Sequence, residues 1–199
     1  MTKYIIAAVL AVIWFYLLHV LKKAKLSFWR FIVGSAGLFV FLMVFVMPYA
    51  TVPMSQVVAG IAGIFGKLFG FFTAYYKYSV IFVESQAESL TLTIDFECSG
   101  VIEIFAYLSL LIFFNVYNTQ EKWVIGAAGC AFLVMANVLR VTVICTIIHF
   151  FGNASYYVAH TYIGRILFYT LSVILYFFVF TKSQILRQKV GGFTYDRDQ

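Results

Sequence analysis

From Trp123 to Phe150 the chain reads WVIGAAGCAFLVMANVLRVTVICTIIHF, with one arginine as its only full charge. A stretch this long and apolar exceeds the ~20 residues that cross a bilayer as a helix. Comparable runs at Tyr4–Val20, Phe28–Met47, Ser99–Tyr117 and Tyr157–Thr181 bring the predicted transmembrane helices to five. Composition excludes a soluble alternative. Of the 199 residues 63% are hydrophobic and 11% charged, against roughly 45–50% and about 25% in soluble domains. The chain therefore reads as one integral membrane domain over residues 1–199.

The net charge of +6 does not point to nucleic acid, because the basic residues sit beside the apolar runs. Lys22, Lys23, Lys25 and Arg30 lie between the first two runs, and Lys182, Arg187 and Lys189 follow the last. Such clusters mark cytoplasmic ends, so residues 182–199 are expected to be a cytoplasmic tail. No small-residue cleavage site follows the first run, and its basic cluster comes after it, which predicts a retained anchor.

Residues 54–73, MSQVVAGIAGIFGKLFGFFT, are apolar but carry Gly60, Gly63, Gly66, Gly70 and Lys67. They could form an interfacial, re-entrant or sixth helix. If they crossed, the basic tail would end outside; if they lie in the outer interface, both basic clusters face the cytoplasm, so the second arrangement is expected. The preceding PYATVP, Pro48 to Pro53, reads as an outer loop. After it, YSVIFVESQAESLTLTIDFE, residues 78–97, is β-branched and alternating around a polar ESQAES, the pattern of a short extracytoplasmic β-hairpin. The fold class is thus an all-α polytopic membrane protein with that hairpin delivering the chain to Cys98.

The three cysteines, Cys98, Cys130 and Cys145, form no CxxC and no metal-ligand spacing. A lone intramembrane cysteine is usually a small core hydrophobe, which fits Cys130 and Cys145. Cys98 differs, because it opens a helix after a strand and is followed by Ser99 and Gly100, which leave room for another chain. A helix N-terminus favours the thiolate, while Glu97 and Asp95 oppose it, so a nearby cation is expected.

Helix rise supplies candidates at that depth. With the loop NTQEK, Asn118 to Lys122, on the cytoplasmic side, Arg140 stands about 27 Å above Lys122 and His160 about 33 Å above Lys182 at ~1.5 Å per residue. Both reach the outer boundary of a ~30 Å core, where Cys98 sits. An arginine inside a span implies a partner or a function: an ion pair with Glu103, a phosphate contact, or catalysis. Asn137, on the same helical face, could orient it. His149 lies about 180° around the helix from Arg140 and points away, which leaves His160 as the proton-transfer candidate.

Together, the ECSG of Glu97–Gly100, the NVLR of Asn137–Arg140 and the H-x-x-x-G of His160–Gly164 resemble the exosortase/archaeosortase family, and most closely its compact Gram-positive G subgroup. The resemblance covers roughly residues 75–180, the expected catalytic core. It implies a membrane-embedded cysteine transpeptidase that cleaves the C-terminal sorting signal of a secreted precursor: a short motif, a transmembrane stretch and a basic tail. Carried onto this chain, it implies Cys98 as nucleophile, Arg140 as the positive group at the reacting carbonyl and His160 as acid/base. Archaeal relatives place arginine in the third role, which leaves Arg165 beside His160 as a competitor for it.

This chemistry calls for no metal or organic cofactor. Its partners would be the precursor and the lipid bilayer. Two other readings use the same residues. In one, Glu103, Arg140 and Arg165 form a buried charge network in a non-enzymatic transport or assembly subunit. In the other, Cys98 and Cys145 form a redox pair.

Overall fold

The computed structural model describes residues 2–84 and 89–185. The chain forms α1 (Thr2–Lys23), α2 (Ser27–Phe45) and α3 (Met47–Phe69), strands β1 (Phe72–Tyr75), β2 (Val80–Glu84) and β3 (Ser89–Thr93), then α4 (Phe96–Ser99), α5 (Val101–Phe113), α6 (Thr119–Phe151) and α7 (Asn153–Ile185). Among the described residues, α2, α3, α6 and α7 are long and apolar enough to cross a membrane. The protein is an all-α polytopic membrane protein carrying one small sheet.

Arg187 and Lys189, most of the expected tail and the central Ser85–Glu88 of the hairpin turn lie outside the described residues. The hairpin itself is present as antiparallel β2 and β3, and β1 adds a third strand in the order β1-β2-β3. That third strand corrects the sequence reading, which had run a helix through Phe72 and Thr73. The helix stops earlier, at Gly70, whose φ of 74° closes it with its N–H on the Gly66 carbonyl at 2.8 Å. Beyond the turn β1 folds back onto α3. At Gly66 the approach is so close that a Cβ would stand 2.4 Å from the Phe72 carbonyl oxygen. Gly63, where a Cβ would stand 3.0 Å from Ala74 Cβ, serves the same close approach.

PYATVP is also helical rather than a loop. Pro48 lies in the first turn of α3, where its missing N–H costs nothing. Pro53 is interior, where it lacks the N–H that would reach the Tyr49 carbonyl, and the helix nonetheless continues through it to Phe69. The chain bends only at Val46 between α2 and α3.

The third span, expected over Ser99–Tyr117, is shorter. Gly100 adopts φ 75° and separates α4 from α5, which runs for 13 residues, about 20 Å. In turn α6 begins before Trp123: Asn118 caps it, and its N–H donates to the Glu121 carboxylate at 2.8 Å in a capping box.

Polar contacts gather the loops at one end of the bundle. Arg30 donates to Asn115 Oδ1 at 3.4 Å, Lys122 to the Ile112 carbonyl at 2.6 Å, and Tyr117 to the Val179 carbonyl at 2.5 Å. α2 packs antiparallel along α5 from this end. The far end holds the sheet. There α3 starts beside the C-terminus of α2 and finishes beside that of α6, where Phe71 stacks on His149 with ring centroids 5.0 Å apart.

Two apolar clusters fill the interior. Under the sheet, Val58, Ala59 and Ala62 of α3 meet Ile81 and Val83 of β2 and Val141, Ile144 and Ile148 of α6. Deeper in the bundle, Ile104, Tyr107 and Leu111 of α5 meet Leu133 and Ala136 of α6 and Phe168 of α7. Asn137 and Arg140 project from α6 among these apolar surfaces, both buried.

Candidate active site

Cys98 sits in the single turn of α4, between the sheet and α5. Its N–H donates to the Asp95 carbonyl at 3.0 Å, and the buried Ser99 hydroxyl donates to the Phe96 carbonyl at 2.8 Å. The left-handed Gly100 then lets the chain turn into α5 against Asn137, whose side chain comes within 3.5 Å of where a Cβ would lie. Asn137 Nδ2 donates to the Cys98 carbonyl at 2.5 Å. Asn137 thus holds the cysteine's backbone from α6, rather than orienting Arg140 as the sequence had suggested.

The three residues matched by depth converge. Cys98 Sγ and His160 Nε2 are 3.1 Å apart, within hydrogen-bond reach. Arg140 Nη2 donates to Cys98 Sγ at 3.7 Å and Nη1 to the Glu97 carbonyl at 3.4 Å. Arg140 is only 4% exposed, its guanidinium carbon lies 5.8 Å from the centre of the Phe168 ring, and its Nε has no hydrogen-bond partner among the described residues.

His160 reaches the thiol from α7, in a π-type stretch over Ala159–Ile163. Such single widened turns often mark functional positions. Gly164 follows directly, and a Cβ there would stand 2.7 Å from Ile144 Cδ1, so its absence lets α7 approach α6. The Tyr156 ring stacks on the imidazole, centroids 5.5 Å apart at 23°. Tyr156 went unnoticed in the sequence, although its spacing four residues before His160 puts it on the same helical face. Phe168 carried no such signal.

Opposing influences act on the thiol. Burial pushes the Cys98 thiol above its ordinary pKa; the Arg140 guanidinium pulls it back, while Asp95 and Glu97 push it further up. Cys98 is the third residue of the four-residue turn Phe96–Ser99 and does not itself open α5.

Glu103 pairs with neither arginine within 4 Å. Arg165 bridges Glu97 at 3.7 Å instead, both largely exposed, a contact worth little by itself. Arg140 has turned toward Cys98. Glu97, Glu103, Arg140, Arg165 and Tyr169 line a cavity of about 320 Å³ beside the thiol. The three residues of the transport alternative, Glu103, Arg140 and Arg165, thus share this cavity without a direct ion pair to Glu103.

The other candidates are engaged elsewhere. His149 Nδ1 lies 2.6 Å from the Glu84 carbonyl oxygen, far from the thiol. Cys98, Cys130 and Cys145 are all unpaired. Among the described residues no group of three His, Cys, Asp or Glu side chains could hold a metal ion.

The family model for transmembrane exosortases (Exosortase_EpsH) matches residues 2–177. No curated protein and no solved structure matches the chain. A match that runs from the first helix into the last, over nearly all of the described protein, settles the family: the chain is a member of the transmembrane exosortases.

Proposed function

We propose that this exosortase cleaves a C-terminal sorting signal from secreted precursors, with Cys98 as nucleophile, His160 as acid/base and Arg140 as the electrophilic anchor. The observation that carries the reading is the 3.1 Å approach of Cys98 Sγ to His160 Nε2, with Arg140 Nη2 on the same sulfur. Histidine within reach of a thiol whose pKa is raised supplies a base.

In the proposed cycle the Cys98 S–H donates to His160 Nε2, and the proton passes to the imidazole. The thiolate attacks the scissile carbonyl, forming the S–C bond and moving the carbonyl electrons onto oxygen. Arg140 stabilises both the thiolate and this oxyanion. Collapse breaks the C–N bond, His160 returns its proton to the departing amine, and a thioester remains on Cys98. An incoming amine or water, deprotonated by His160, then releases the acyl group.

The gathering of Arg30, Lys122 and the Lys182 region at the end opposite the site supports placing those loops in the cytoplasm. Cys98, hydrogen-bonded to Asn137, then lies about 22 Å above Lys122 along α6, in the outer leaflet. α3 packs across that outer end. A precursor tethered by its own transmembrane stretch would present the residues just outside its span at this depth.

The direct test is co-expression with secreted proteins that end in a shared motif, an apolar stretch and basic residues. Cys98→Ala and Cys98→Ser are expected to accumulate in the membrane and leave the precursor uncut. Full processing by Cys98→Ala would end the proposal.

A further inference from the structure

We propose that the acyl segment of the precursor binds as an extended strand along the free edge of β3, extending the three-stranded sheet and laying its scissile carbonyl over Cys98. The inference rests on the cysteine-transpeptidase reading above and adds to it how the substrate is held.

β3 is an edge strand, bonded to β2 alone. The pairing fixes which backbone groups face outward. Ile94 N–H donates to the Ser79 carbonyl at 2.9 Å, and the register continues with Thr93 opposite Val80, Leu92 opposite Ile81 and Thr91 opposite Phe82. In an antiparallel ladder alternate residues exchange both bonds with their partner, and those between turn both groups away. Leu90, Leu92 and Ile94 therefore face β2, while Ser89, Thr91 and Thr93 present N–H and C=O on the free edge. Among the described residues nothing hydrogen-bonds to the backbone of Thr91 or Thr93 on that side.

An unpaired edge is a template for another chain. This one runs straight into the site, since α4 begins three residues after Thr93. Beneath the β3 side of the sheet lies a pocket closed by Ile81, Leu92 and Ile94 of the sheet, Ile144 and Cys145 of α6 and Tyr156 and His160 of α7, with Cys98 in its lining. The pocket has a volume of about 40 Å³, room for one small side chain, with apolar walls. A strand running in the same direction as β3 brings the residues before the scissile bond along Thr91 and Thr93 and the reacting carbonyl to Sγ.

The test uses alkylation of Cys98 in membranes. An acetyl-tetra-alanyl chloromethyl ketone, in which the thiolate displaces chloride, is compared with its analogue N-methylated on the backbone amides, each rate normalised to that of iodoacetamide. The wild-type protein is expected to favour the unmethylated ketone at least tenfold. Thr91→Pro removes an outward N–H at a position where an edge strand accepts proline, and is expected to bring the two probes within twofold of each other. Equal rates in the wild type, or a preference that survives Thr91→Pro, would overturn the inference while leaving Cys98 as nucleophile. If iodoacetamide itself does not modify Cys98, the transpeptidase reading falls, and this inference with it.

Discussion

Asn137, fully buried on α6, donates its amide to the backbone carbonyl of Cys98 at 2.5 Å. The bond joins the turn that carries Cys98, the proposed nucleophile, to the helix that carries Arg140. Asn137→Ala deletes the donor and is expected to destabilise the fold by roughly 1–3 kcal/mol. Precursor processing is expected to fall more than the amount of protein in the membrane, as read by immunoblotting both. Proportional loss of the two would make Asn137 purely structural.

Arg140 reaches both the Glu97 carbonyl and the Cys98 sulfur with one planar fork. A lysine offers a point charge without the second arm. Arg140→Lys is expected to retain folded protein and lose processing roughly 100-fold, the scale for deleting an oxyanion donor. Time courses of precursor cleavage measure it, and a wild-type rate would remove Arg140 from the chemistry.

The pH dependence has a definite sign. Burial holds the Cys98 thiol up, and Arg140 opposes it, so iodoacetamide alkylation is expected to be slow at neutral pH and to rise through the range above an ordinary thiol. Arg140→Gln removes a lowering charge and is expected to move the alkylation midpoint further up. Glu97→Gln removes a raising charge and is expected to move it down. Rate–pH profiles by mass spectrometry check both directions; the same shift in both variants would contradict this account of the charges.

At Gly164 the limit is steric. An added Cβ meets the end of the Ile144 side chain at 2.7 Å and the Ala159 carbonyl oxygen at 3.1 Å. Gly164→Val is expected to push α7 away from α6 and draw His160 off the thiol, lowering the cleavage rate with little change in membrane accumulation. Ile144→Ala in the same chain makes room and is expected to restore part of the rate. Absence of rescue would place the defect elsewhere.

The site was legible because it depends on depth. A helix climbs at a fixed rate, so Lys122 and Lys182 as cytoplasmic markers sufficed to bring Arg140 and His160 level with Cys98, and the structure places them within hydrogen-bond reach. Rotation and partner choice depend on packing and were not legible. Asn137 lies on the face expected for it, but the αL turn at Gly100 brings the Cys98 carbonyl to its amide. Glu103 could have met either arginine, and Arg165 instead bridges Glu97.

The fold shows the same division. Apolar length revealed α2, α6 and α7, and alternation revealed β2 and β3. PYATVP misled because prolines ordinarily punctuate; here one occupies a first helical turn and the other is carried inside the helix. β1 was hidden because FFTAY follows a helix-breaking glycine and shows no alternation of its own.

The most direct test of the central claim is chemical capture of the acyl-enzyme. The protein is co-expressed with a processed precursor, purified under acid quench and digested, and the peptide containing Cys98 is examined by mass spectrometry. The account predicts an acyl thioester on Cys98 that neutral hydroxylamine releases and that Arg140→Lys diminishes. Active processing in which Cys98 never carries an acyl group, with Cys98→Ala still cutting the precursor, would contradict it.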